Sequence, residues 1–539
     1  MRRVRWLIWV LLAVGAPPAA WAQQPITLKS EVDEYLRVLE VAGKLTGPMV
    51  FRSPSTLAGL GLRADTAHPW AWRYGFTGPR RRAANVRLRL FDTQDLKLTY
   101  NSALPWGTND GRLWAGRGLS GEVSGLGGEL TWGPLTATLA FAETFTANQW
   151  FATWPVTAPA SSPYAYPWDP QRIDWPQRLG DEWFFATDWG PSGLRLDLGA
   201  FTAGLSTENM WWGPAFKNPI LMSNSGPGFP HLDLGLGRPV GIGIGTLEAR
   251  LAWGVLTESP YFDTVSTNNH RLFTGLTLGV RPRWIPGLTL GLTRVLYTHW
   301  NDSLRAVDFV TVFQPFLKDQ IATSTDPEGN DDRDQILSLV AHWILPESRF
   351  EAYVEWARND HSRDLRDLIL EPDHSQAYTL GFQQLLGSGR ALVRLRGEWT
   401  HLGRAPTFQV RATPTFYQHH LVRQGYTERG QLIGAGIGPG SDSQHLAVDR
   451  YHARGRWGMF VQRVRYNDDA YYRMYGSPGG RDGHDVELTA GLSALRFVGS
   501  FDVGASVALS REINRYYQVG SNVTNLNVQL TVRARRPSR

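Results

Sequence analysis

From Val86 to near the end of the chain, apolar residues recur at every second position. Leu88 and Leu90 alternate with Arg87 and Arg89, and Leu135, Ala137, Leu139 and Phe141 with Thr136, Thr138 and Ala140. Leu194, Leu196 and Leu198 are set against Arg195 and Asp197 in the same way, and Phe350, Ala352, Val354 and Trp356 against Glu351, Tyr353 and Glu355. Val393, Leu395 and Trp399 oppose Arg394, Arg396 and Glu398, and Leu526, Val528, Leu530 and Val532 oppose Asn525, Asn527, Gln529 and Thr531. A period of two gives a strand one apolar and one polar face. Upstream the period is helical: Val32, Tyr35, Leu36, Leu39 and Ala42 follow Ser30, which with Asp33 reads as a capping box, and Gly43 can close the helix.

A soluble sandwich and an outer-membrane barrel share this alternation and differ in what the apolar face meets. Strands of about 9 to 11 residues fit a tilted membrane crossing. Trp132, Trp253, Trp284, Tyr297, Trp343 and Trp399 stand at strand ends, where an aromatic girdle places them. Brief connections such as Gly133-Pro134 and Ile285-Pro286-Gly287 alternate with long polar ones such as 144–180 and 301–334. Only a closed sheet satisfies so many strand backbones in lipid. The expected fold is therefore all-β, a closed antiparallel outer-membrane β-barrel with a small N-terminal helical segment. At about 25 residues per strand and connection, the roughly 455 residues available make about 18 strands. The expected division is a signal peptide at 1–22, a periplasmic helical segment at 23–82 and the barrel with long extracellular loops at 83–539. Arg294 breaks the alternation by falling on the apolar face, where it is expected to snorkel to the interface. The basic C-terminal tail replaces the aromatic ending usual in such barrels.

The chain has 539 residues, 42% hydrophobic and 19% charged, which excludes disorder, and its lack of cysteine excludes cysteine-based zinc sites, thiol nucleophiles and disulfides. Arg2, Arg3 and Arg5, the apolar run from Trp6 to Val14 and Ala20-Trp21-Ala22 are the three parts of a secretory signal. No later stretch supplies the about 20 apolar residues of a spanning helix. The formal charge of +6 falls to +3 without those three arginines, so nucleic acid gains no support as a partner.

Several segments occurring in order resemble the capsule assembly Wzi family of bacterial outer-membrane proteins. They are Ser206-Thr207-Glu208-Asn209-Met210-Trp211-Trp212-Gly213-Pro214, Leu221-Met222-Ser223-Asn224 and Gly228-Phe229-Pro230-His231. Asn101 to Pro105, Asn109-Asp110-Gly111, Tyr353 to Trp356 with Asn359-Asp360, and Gly425-Tyr426-Thr427 leading into Gly434 to Gly440 complete the set. The resemblance implies an eighteen-stranded barrel with a helical bundle at its periplasmic end. It also implies an outer-membrane lectin that binds capsular polysaccharide and helps to hold it on the cell. It assigns no individual sugar contact.

Several groups of residues carry candidate chemistry. Trp211 and Trp212 beside Glu208 and Asn209 can stack on pyranose faces or pack a loop folded into the lumen, and Asn224 and His231 admit the same two readings. Trp150, Trp154 and Trp168, with Tyr164, Tyr166 and Trp175, make the richest aromatic loop, which can face polysaccharide or form its own small core. Arg87, Arg89, Arg195, Arg394 and Arg396 with Asp197, Glu351, Glu355 and Glu398 form a candidate lumen charge network, either a pore lining or a rigid internal set. The glycine runs at 241–245 and 434–440 lack the βαβ setting of a dinucleotide site. The acidic run Asp326 to Asp334 lacks EF-hand spacing, and His419-His420 with His401 is a weak metal signal. No cofactor, metal or catalytic residue is expected. The expected function is non-enzymatic attachment or assembly of capsular or extracellular polysaccharide in contact with outer-membrane lipid, with oligomeric state left open. A channel for sugars or anions is the alternative, and an outer-membrane hydrolase the third option.

Overall fold

The alternation closes on itself. In the computed structural model, residues 21–22, 26–58, 60, 68–74, 86–91, 93–107, 110–300, 303, 305–317, 320, 333–359, 362–387, 391–475 and 483–535 are described. Counting interrupted strands once, 18 antiparallel strands form one closed sheet. They are β1 (Arg87–Phe91 continuing as Thr93–Asn101), β2 (Gly118–Trp132), β3 (Leu135–Thr146), β4 (Phe184–Asp188 continuing as Gly193–Leu198), β5 (Phe201–Ser206) and β6 (His231–Leu236 with Val240–Gly241). Next come β7 (Gly245–Thr257), β8 (His270–Pro282), β9 (Leu288–His299), β10 (Arg333–Leu345), β11 (Phe350–Asn359) and β12 (Gln376–Leu386). The last are β13 (Leu392–His401), β14 (Asp442–His452), β15 (Gly455–Arg465), β16 (Val486–Val498), β17 (Phe501–Ile513) and β18 (Val523–Arg535). β18 pairs with β1, Leu530 opposite Leu98, and this contact shuts the barrel. Trp21–Ala22 adds a two-residue parallel pairing to Leu90–Phe91. Residues 1–20 of the expected signal peptide and the acids from Asp326 to Asp332 lie outside the described residues.

Burial follows the alternation. On β7, Glu248, Arg250, Ala252 and Leu256 are buried toward the lumen, while Leu247, Leu251, Trp253 and Val255 lie on the outer face. Trp132, Trp284, Trp343 and Trp399 are exposed on the outside, as a girdle requires. Tyr297 is the exception: its parity with Val295 turns it inward, where its hydroxyl donates to Asp334 Oδ2 at 2.5 Å. Arg294 also departs from expectation, since it is buried on the outer wall without reaching water. Its cover is described below.

Short turns such as 133–134, 346–349, 453–454 and 499–500 gather at one end and the long connections 147–183, 207–230 and 402–441 at the other. In an outer-membrane barrel the short-turn end is periplasmic. Helix α1 (Glu31–Val41) sits inside that end, with Gly43 in the left-handed region at φ +70° against the turn residue Pro346. The Ser30 hydroxyl caps it by accepting from the Asp33 N–H at 3.4 Å, while the Asp33 carboxylate reaches back to the Lys29 N–H instead of closing a reciprocal box. Its apolar side packs with Trp70, Tyr74, Tyr451, Leu495 and Phe497. Its charged side meets charges on the barrel wall, which is why the whole length from Val32 is buried.

Candidate functional site

Two things occupy the barrel along its axis: a plug built from the N-terminal segment and the 207–230 loop, and, above it, a cleft among the long loops. In the plug, Phe51–Arg52 pairs antiparallel with Trp211–Trp212. This irregular backbone is satisfied by carboxylates projecting from the wall. Glu248 accepts the N–H groups of Met49, Val50 and Phe51, each at 2.9 Å. Glu398 accepts those of Phe216, Lys217 and Asn218 at 2.8, 3.1 and 2.7 Å, and Glu355 that of Ile220 at 3.1 Å. The hydroxyls of Tyr417 and Tyr426 donate to the carbonyls of Ile220 and Leu221 at 2.7 and 2.6 Å. Buried amides need such partners, and ionised acceptors make the stronger bonds.

Around α1 the charges pair across the lumen. Arg394 and Arg396 each donate to Glu34 at 2.8 Å and to Asp449 at 3.1 and 2.9 Å. Arg456 bridges Asp449 and Glu31 at 2.6 and 2.5 Å. Burial opposes ionisation of Glu34, yet Lys29, Arg396 and Arg394 together hold its carboxyl well below the usual carboxylate range.

The cleft has a volume of about 310 Å³ and is lined from within 104–107, 110–115, 166–177, 431–441, 462–467, 485–487 and 510–525, beside the upper ends of β1, β2 and β15 to β18. One side is aromatic. Trp168 stacks on Tyr517 with ring centroids 4.6 Å apart, and Trp154 lies 5.5 Å from Trp168 and 5.6 Å from Tyr516. Tyr166 and Trp175 pair at 5.3 Å, and Trp106 and Trp114 complete the apolar lining. Between the rings stand polar groups held in place by the loops. Gln177 accepts from the Tyr516 hydroxyl at 2.7 Å, the Asn467 amide donates to the Tyr166 hydroxyl at 2.5 Å, and Trp106 Nε1 donates to Glu487 at 3.1 Å. Burial raises the Asp485 carboxyl above the usual carboxylate range, with Glu512 sharing a hydrogen bond with it and Glu487 nearby. Flat aromatic faces beside fixed amides, carboxyls and Arg515 can hold a ring that is apolar on its face and hydroxylated on its edge.

Residues 193–508 match the family model of the capsule assembly protein Wzi. The chain belongs to the Wzi family. The solved structure of Wzi from Escherichia coli, an outer-membrane protein involved in group 1 capsule assembly and described as a carbohydrate-binding β-barrel, aligns over 96% of this chain and 100% of its own. The TM-score is 0.63 at 12% identity. OccAB3 from Acinetobacter baumannii (TM-score 0.42, 10% identity, 84% of this chain and 99% of its own) aligns less closely. So does OccK2 from Pseudomonas aeruginosa (0.40, 13%, 84% and 98%). No curated protein sequence matches. This Wzi-family chain is a Gram-negative outer-membrane β-barrel.

Within the Wzi-family barrel the residues singled out from sequence fall in separate places. Trp211 and Trp212 are 0% and 1% exposed in the plug, Trp211 Nε1 donating to the Ala215 carbonyl at 2.9 Å. Glu208 accepts from the Ser55 N–H and hydroxyl at 3.0 and 2.7 Å, and Asn209 donates to the Gly226 carbonyl at 2.9 Å. His231 bonds the Phe229 carbonyl at 2.8 Å, and Asn224 lines a lower cavity of about 450 Å³ beside α1. Trp168 lines the cleft, Trp154 packs beside it, and Trp150 is 68% exposed on the same loop. The charged set divides too. Arg394 and Arg396 hold α1, Glu355 and Glu398 hold the plug backbone, and Glu351 pairs with His342 at 2.6 Å. Arg195 pairs with Asp197 at 3.2 Å, and Arg87 and Arg89 lie on β1, Arg89 opposite Glu129 of β2. Among the described residues no cluster of three acids or histidines can hold a metal ion. The sequence reading passed over Arg515, Tyr516 and Tyr517; two adjacent tyrosines between Asn514 and Gly520 in a turn were the available signal.

Proposed function

We propose that this barrel is a non-enzymatic receptor for capsular or extracellular polysaccharide and promotes its attachment to, or assembly on, the cell surface. The cleft lined by Trp168, Trp106 and Trp175 carries the reading, because its aromatic faces and fixed polar groups suit hydroxylated rings and it opens among the long loops. Family membership and the carbohydrate-binding description of Escherichia coli Wzi support the same class. The filled lumen below weighs against a sugar or anion channel. Sugars would stack on Trp168 and Trp154, with Trp150 offering a further platform at the rim, while Gln177 and Asn467 meet hydroxyls. Deleting the gene is expected to move polysaccharide from the cell-bound to the shed fraction, and equal retention in mutant and parent overturns the reading.

A further inference from the structure

Arg294 points outward by strand parity, with Leu290, Leu292 and Leu296, yet it is 1% exposed. Its cover is segment 305–317, with short 3₁₀ turns at Ala306–Phe309 and Thr311–Phe313, which folds down over the outside of the barrel. The Arg294 guanidinium donates to the carbonyls of Val312 at 2.9 Å, Pro315 at 3.1 Å and Gln314, and to Gln335 Oε1 at 2.6 Å, with the Phe316 ring 4.4 Å away. Val312 packs against Leu276 and Leu296, and Trp253 Nε1 donates to the Phe309 carbonyl at 3.1 Å. Leu317 bridges to Ser362, which leads into a short helix, α2 (Leu365–Leu370). That helix is tied down by Arg358 to the Glu371 carbonyl at 3.4 Å and by Arg411 to Asp367 and Glu371 at 2.5 and 2.7 Å. The result is an apron leaning on the upper outer wall from β7 to β11.

The apron's own outer surface is apolar: Val307, Val310, Phe313, Phe316, Ile369 and Leu370 are all exposed. We propose that this surface lies in the outer leaflet, its apolar side chains among acyl chains and the exposed Arg363 and Arg366 level with headgroup phosphates. Continuity decides the occupant. Leu251, Leu278 and Leu292, which Val312 and its neighbours partly cover, belong to the wall that meets acyl chains, so one apolar surface runs from the wall onto the apron. Arg294 beneath it is enclosed by carbonyls and presents nothing to lipid. A patch of this kind on a chain already embedded in a bilayer is an interfacial anchor with cations at its edge. The apron lies on the arc from β7 to β11 and the cleft on the arc holding β1, β2 and β15 to β18, so anchoring one side leaves the cleft open.

The chain has no cysteine, so single-cysteine variants carry unique spin labels. Full-length Phe313→Cys and Ile369→Cys are labelled and reconstituted in phosphatidylcholine vesicles containing lipid A, with wall residue Leu290→Cys as the lipid reference and exposed loop residue Ser266→Cys as the aqueous one. The expected result is an oxygen-to-nickel-chelate collision ratio at 313 and 369 close to that at 290 and several-fold above that at 266, unchanged as protein density rises. Ratios matching 266 place the apron in water and overturn the proposal. Loss of access to both reagents as protein density rises identifies a second copy of the chain as the occupant and overturns it equally.

Discussion

Two tryptophans from one sequence-level shortlist end in opposite physical situations. Trp211 is enclosed in the plug, where Lys29 Nζ and the Arg37 guanidinium lie 5.4 and 5.5 Å from its ring, and Trp168 is half-buried at the cleft. Trp168→Ala is expected to weaken polysaccharide binding by about tenfold, the loss of about 1.4 kcal/mol of stacking, with exchange of the α1 amides unchanged. Trp211→Ala removes a fully packed indole, a cost of about 3–5 kcal/mol. It is expected to raise hydrogen exchange of the α1 amides, with direct cleft contacts intact. Calorimetry and exchange mass spectrometry on both variants check the split. Glu34 adds a pH signature. Its carboxyl titrates lower in the folded chain than unfolded, so its contribution is complete above the usual carboxylate pKa and lost as pH falls through the lowered value. Protection of the α1 amides, relative to the intrinsic exchange rate at each pH, is expected to stay flat across neutral pH and fall only in strong acid, and Glu34→Gln to lower it at every pH by leaving Arg394 and Arg396 short of a partner.

The loops above the lumen respond to pH in the opposite sense. Asp174 accepts from the N–H and hydroxyl of Ser259, both at 2.6 Å, and Glu428 from the Thr257 N–H at 2.7 Å. Glu258 accepts from the Gln424 amide at 2.6 Å, so three loops are sewn together through carboxyls. Burial pushes Asp174 up to about 6 and Glu258 and Glu428 to about 7. The folded cap therefore holds more protons than the unfolded chain between the usual carboxylate pKa and about 7, and its stability falls as pH rises through that window. The protection of amides at 170–176 and 424–430, measured against the intrinsic exchange rate at each pH, is expected to be lower at about pH 8 than at about pH 4.5. None of this sewing was legible in the sequence, whereas the strands were. Alternation is a local property of neighbouring residues, and the short turns at Gly133-Pro134 and Ile285-Pro286-Gly287 read directly from where it stops. Which loop reaches which wall residue depends on closure of the sheet, which brings Glu398 to Phe216 across 182 positions. The inward turn of Tyr297 shows the same limit: an aromatic at a strand end looks like a girdle residue until parity is counted along the whole strand. Arg294 broke the pattern visibly, but its cover is the start of the long connection that follows its own strand, and no periodicity in 305–317 shows that this segment turns back over the wall.

At the scale of the whole molecule the barrel is a wide wall filled from within. Barrels of about 16 to 18 strands enclose an aqueous channel when nothing occupies them. Here α1, Phe51–Arg52 and the 207–230 loop fill the middle, and the wall does not depend on them for its strand pairing, since each wall strand bonds its neighbours in the sheet. The wall carboxylates that accept plug amides, Glu248 above all, would be hydrated if the segment were absent, because the space vacated is polar-lined and open to water. Deleting residues 26–58 is therefore expected to leave a folded barrel, still shifted in mobility on unheated gels, and to convert it from silent to conducting in planar bilayers. The full-length chain is expected to remain closed under the same voltage. If the full-length chain conducts steadily instead, the plug moves aside in the membrane and the barrel transports as well as binds. If the deleted chain folds yet stays closed, the 207–230 loop alone seals the lumen, and Glu398→Ala in that background, which frees the amides of 216–218, is expected to open it.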